Sequence, residues 1–238
     1  MLAWFWLLGC GWLAATVSGV AGFGGALLLL PVLVLAVGDR SAVPILTVAQ
    51  LLGNLSRAGF GFRDVRWRPA ILFSIGAIPA SLLGARVFVG LPQAEARRFV
   101  GVLLLVVVAL RHARFQWRTT ERLLIPAGTG VGFVSAVAGS AGPLAAAVFL
   151  GLGLPARAYV ASEAVTAVLI HVTKSVVYRR YAAMSGDDVL QGVLLGSSLV
   201  AGSWTGRKII DRLPKRGFSL LVECLIVTSA VVLLAGGN

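Results

Sequence analysis

Polar residues divide the chain of 238 residues into ten apolar segments. Five come first, at about 2–21, 26–37, 41–62, 69–89 and 96–110. Five follow, at 123–138, 143–154, 158–178, 189–206 and 218–234. The runs are continuous, whereas membrane strands would alternate over about ten residues. Helices are therefore expected. Most runs approach the length of about 20 residues that carries a helix across about 30 Å of hydrocarbon. Segments 26–37 and 143–154 have only 12 residues each, which at 1.5 Å per residue reach roughly 18 Å. They are expected to be half-helices or re-entrant pieces.

Each short segment follows a glycine-rich break. The first is Ser18-Gly19-Val20-Ala21-Gly22-Phe23-Gly24-Gly25. It returns 117 residues later as Ser135-Ala136-Val137-Ala138-Gly139-Ser140-Ala141-Gly142, with five of eight positions identical. At the same offset Arg40 matches Arg157, Arg57 matches Lys174, and Arg63 matches Arg180. After a small insertion, Arg86 matches Arg207 and Leu91-Pro92 matches Leu213-Pro214. The series defines two halves, 1–114 and 115–238. Five segments per half is an odd number, so the second half should enter from the opposite side, as inverted-topology repeats do. Re-entrant short segments would keep that parity with fewer than ten full crossings. The expected fold is an all-α integral membrane protein, a polytopic helical bundle of two inverted repeats with short broken helices.

Composition agrees. The chain is 58% hydrophobic and 13% charged, against about a quarter charged in soluble domains, and its mean hydropathy is +0.92. A net charge of +12 would suggest nucleic acid in a soluble protein, but here the cations sit in short loops. Loops 63–68, 111–122, 155–157 and 207–216 hold 13 Lys and Arg. The opposite face holds five, namely Arg40, Arg97, Arg98, Arg179 and Arg180. The positive-inside rule assigns the first face to the cytoplasm and both termini to the other side. Nucleic acid is not an expected partner; the lipid bilayer is. Cys10 and Cys224 both lie in apolar runs and form no disulfide framework or metal cluster. Leu7-Leu8-Gly9-Cys10 and the first 22 residues mimic processing signals, but no basic region precedes them, and the break at Ser18 belongs to the repeat.

No nucleophile–base pattern, phosphate loop or zinc motif is present, so neither enzyme activity nor a cofactor is expected. The polar residues inside the segments carry the chemistry. Gln50, Asn54 and Arg57 share one helix face, and so do Glu163, His171 and Lys174. Asn54 and His171 are repeat partners. Arg57 and Lys174 either attract an anion from two sides or snorkel to the interface. Glu163 either pairs with a nearby cation or carries a coupling proton. The breaks either pack helices closely or hold an anion at the mouths of the two short helices. In the second reading Gly22, Gly24, Gly25, Gly139, Ser140 and Gly142 touch the substrate. Gly25 and Gly142 then need glycine for close backbone approach or a positive φ.

The Ser-Gly-x-x-Gly-x-Gly-Gly break, with the apolar run through Pro31, resembles the first motif of the sulfite exporter TauE/SafE family. Residues 135–142 resemble its second-half copy, with Ser140 for Phe23 and Ala141 for Gly24. The resemblance covers nearly the whole chain. It implies a bacterial inner-membrane secondary transporter of sulfite or organosulfonates. A non-transport scaffold and an anion channel are the alternatives.

Overall fold

The computed structural model describes residues 2–23, 25–90 and 119–210. Among them the regular structure is helical throughout. The helices are α1 (Leu2–Ala21), α2 (Gly25–Val37), α3 (Asp39–Phe60), α4 (Trp67–Gly90), α5 (Leu124–Ala138), α6 (Gly142–Leu150), α7 (Ala156–Arg180) and α8 (Gly186–Ile210). They match eight of the ten expected segments. Segments 96–110 and 218–234, with Gly24, Cys224 and the boundary near 114, lie outside the described residues. One expected end moves. Segment 143–154 stops being helical at Leu150, because Gly151–Gly153 form a turn closed by Gly153 at φ +69°.

Trp4–Ala21, Trp67–Gly90 and Ala156–Arg180 are long and apolar enough to cross a membrane. The 22-residue α3 is also long enough. Its hydropathy is lowered by Gln50, Asn54 and Arg57, all of which are buried.

The centre of the molecule is the pair α3 and α7, and they run antiparallel. Gly61, just after α3, lies against Ala161 near the start of α7. Val43, near the start of α3, lies against Gly139, whose carbonyl accepts a hydrogen bond from Lys174 late in α7. On one flank α8 runs parallel to α3, and α1 packs on α8. On the other flank α4 runs parallel to α7, and α5 packs on α4. α2 folds back on α1 and α3; Gly25 at its start faces Ser18 and Ala14. α6 packs in the same way on α5 and α7.

The glycine breaks differ in detail from expectation. The left-handed residues are Gly22 (φ +82°) and Gly139 (φ +80°), which end α1 and α5. Gly25 and Gly142 instead open the helices that follow, without a positive φ. A helix that must stop inside an apolar layer closes most easily on a left-handed glycine, and this moves the conformational requirement three residues upstream.

Candidate functional site

A cavity of about 40 Å³ lies between the two central helices, where the breaks meet them. Its volume is that of a few water molecules or of one small anion. From α1 and its break come Ser18, Gly22 and Phe23, and from α2 Gly25. From α3 come Gln50, Asn54 and Arg57. Ser135 of α5, Ser140 and Gly142 supply the facing wall, and α7 adds Glu163, Thr166 and His171. Five pairs in this lining are 117 residues apart: Ser18 and Ser135, Phe23 and Ser140, Gly25 and Gly142, Gln50 and Ala167, Asn54 and His171. The cavity sits at mid-length of α3 and α7, at the level of Gln50 and Ala167.

The two cations do not snorkel. Arg57 is 7% exposed and Lys174 is 0% exposed. Arg57 Nη1 donates to Ser18 O (3.1 Å), Ser18 Oγ (2.7 Å) and Gly22 O (3.0 Å), and Nη2 donates to Asn54 Oδ1. Lys174 Nζ donates to Gly139 O at 2.8 Å. Each cation therefore serves the left-handed glycine that ends the preceding long helix. Free carbonyls at a helix C-terminus carry partial negative charge, and a cation there is stabilising. Tyr159 and Tyr178 complete the arrangement: their hydroxyls donate to Ala21 O and Ala136 O, each at 2.8 Å.

This use of the cations leaves the opposite helix ends facing the cavity. Gly25 and Gly142 open α2 and α6, and no side chain caps the α6 N-terminus. At α6 the Gly142 amide is the one left to face an anion, since Pro143 has no N–H and the Leu144 and Ala145 amides donate to Ala141 O; the positive end of the helix dipole adds to it. Three buried polar atoms on the lining have no hydrogen-bond partner: Gln50 Nε2, Glu163 Oε2 and His171 Nδ1. Buried polar groups are rarely left unpaired, so three together on one lining make this cavity the candidate site.

Of the residues expected at the site, Gly139 and Lys174 are absent from the lining and bond each other outside it. Gly24 lies outside the described residues. Ser18 and Ser135 join the lining unexpectedly, and their signal in the sequence is that they open both copies of the repeated octet. Tyr159 and Tyr178 carried no signal beyond being hydroxyls within apolar segments.

Arg57 also borders a second recess of about 30 Å³, shared with Gly61, Asp64, Arg157 and Arg207. Asp64 and Arg157 in turn line an outer recess of about 320 Å³, together with Arg63 and Arg66. The two recesses thus share Asp64 and Arg157 on the side of Arg57 away from the cavity lining.

No curated protein and no solved structure matches the chain. The family model for the sulfite exporter TauE/SafE matches residues 7–233, nearly the whole of this membrane protein, and the chain belongs to that family.

Proposed function

We propose that this chain is a secondary transporter that moves a small sulfur-containing anion, sulfite or an organosulfonate, across the bacterial inner membrane by alternating access. The observation that carries the reading is the cavity lined by five repeat-related pairs at mid-length of the two central helices. Sites at the interface of inverted repeats, built from broken helices, are how many secondary transporters hold substrate near the midplane. The antiparallel course of α3 and α7, which are repeat partners, supports inverted topology. In this reading α1 and α2 form an entering and returning pair, as do α5 and α6, and residues 1–114 and 115–238 are the two repeats. Gly22, Gly25, Gln50, Asn54, Arg57, Ser140, Gly142, Glu163 and His171 contact the anion. Lys174 and Gly139 hold the second break in shape. The arginine-lined outer recess is the cytoplasmic mouth.

Purified protein reconstituted in liposomes tests this with labelled sulfite and labelled 2-hydroxyethanesulfonate. The expected result is saturable uptake that unlabelled anion inside the vesicles accelerates. Uptake without that exchange makes the protein a channel. Absence of flux for both anions makes it a scaffold.

A further inference from the structure

The cavity contains an acid that anion binding alone does not explain. Glu163 is 3% exposed, lines the cavity, and its Oε2 has no hydrogen-bond partner. The titratable groups facing it are few. α3 presents Arg57, whose two terminal nitrogens already serve Ser18, Gly22 and Asn54. α7 itself presents His171, with Nδ1 unpartnered. From α1, α2, α5 and α6 the lining receives only glycine, serine and apolar residues, and α4 contributes none. Lys174 is turned to Gly139, and the Tyr159 hydroxyl to Ala21. Arg63 and Asp64, in the turn after α3, border the outer recesses.

Charge balance then gives Glu163 a task. With its carboxyl ionised and Arg57 protonated, the empty cavity is neutral. A monoanion entering about 40 Å³ would meet a bare carboxylate in a low-dielectric interior, where like charges repel far more than in water. A proton on Oε2 removes the repulsion. It also turns that oxygen from an acceptor into a donor that can bond the anion. We propose that Glu163 binds one proton together with the anion, so that transport is coupled to the proton gradient. Water on the side to which the cavity is open supplies the proton, forming the Oε2–H bond. On the far side the anion leaves and the proton returns to water. The inference rests on the anion-transport reading above.

The test uses the full-length protein in detergent and 2-hydroxyethanesulfonate, whose charge does not titrate in the working range; any pH dependence then belongs to the protein. The parent should bind more tightly as pH falls, by up to about tenfold per pH unit. Calorimetry in two buffers of different ionisation enthalpy should read about one proton taken up per anion, the same linkage seen directly. Glu163→Gln should lose the pH dependence and the proton uptake wherever it still binds sulfonate, while His171→Gln, at whatever lower affinity, should still take up about one proton per anion bound. Uptake that survives Glu163→Gln, or that His171→Gln abolishes, overturns the assignment. If Glu163→Gln does not fold, the buffer comparison on the parent and on His171→Gln decides alone. Binding by the parent without proton uptake overturns the coupling and leaves the transporter reading standing. No binding of sulfonate or sulfite at any pH overturns both.

Discussion

Gly22 and Gly139 have nearly the same backbone and different surroundings. Any Cβ in the left-handed region costs about 1–2 kcal/mol. At Gly22 it would also stand 2.5 Å from the Tyr159 ring, whose hydroxyl holds Ala21 O; at Gly139 the nearest atom is a Val43 methyl at 3.3 Å. Gly22→Ala should therefore lower the thermal midpoint in detergent more than Gly139→Ala does, and equal losses would mean that backbone strain alone matters. The cations separate in the same way. Arg57→Lys keeps one donor for the α1 terminus, the arrangement that Lys174 already uses at Gly139. It loses the fork that reaches the cavity side. It should weaken sulfonate binding with little loss of stability. Lys174→Met leaves a buried carbonyl without its charged donor, which costs about 1–3 kcal/mol, and should change affinity less. Equilibrium dialysis and thermal unfolding on both variants read the two effects, and equal loss of affinity would put Lys174 on the substrate path. These roles were only half legible in the sequence. Spacing put Arg57 and Lys174 each on a face shared with other polar residues and left snorkelling open; it could not say that both side chains fold onto glycine carbonyls 35 residues upstream.

At the level of the helices, glycine decides how close neighbours come. A Cβ on Gly128 would lie 2.1 Å from Phe73 O, and one on Gly132 would lie 2.3 Å from Ala77 O, both backbone atoms of α4. Across the molecule, a Cβ on Gly202 or Gly206 of α8 would lie 2.3 Å from Trp12 O or 2.5 Å from Thr16 O of α1. Small residues of this kind let helices approach closely in membranes. Gly130 sits between Gly128 and Gly132 with nothing within 4 Å. Gly130→Ala should be neutral or stabilising by up to about 1 kcal/mol, whereas Gly128→Ala must push α4 and α5 apart. A thermal-unfolding comparison should show a loss of stability for Gly128→Ala alone, and a similar loss for both variants would remove the packing role. The sequence displays Gly128-x-Gly130-x-Gly132 but not which of the three faces α4. It also misplaced the end of α6, because Leu152 and Leu154 continue the apolar run past a turn that Gly153 makes possible.

Across the whole molecule, the contacts survive an exchange of the two halves. α1 on α8 corresponds to α5 on α4, α3 beside α8 to α7 beside α4, and the returning helix α2 to α6. The helical segments were largely legible, because long apolar runs mark eight of them among the described residues; how they pack on one another was not. The cavity was legible only as a region. Its floor is made by side chains whose partners lie far along the chain, such as Arg57 and Ser18, 39 residues apart. The sharpest test of the inverted arrangement uses repeat partners Arg63 and Arg180, each exposed just after or at the end of α3 and α7. Direct repeats would carry both to the same side of the membrane. Antiparallel partner helices carry them to opposite sides. With Cys10→Ser and Cys224→Ser as background, Arg63→Cys and Arg180→Cys can each be labelled in whole cells by a maleimide that does not cross the inner membrane. If the loop cations face the cytoplasm, as the positive-inside rule proposes, Arg180→Cys should label and Arg63→Cys should label only after the cells are opened. The reverse pattern would keep the inverted repeats and flip the orientation. Labelling of both in intact cells would mean that the two halves enter the membrane from the same side, and the shared cavity would then lose its symmetry argument.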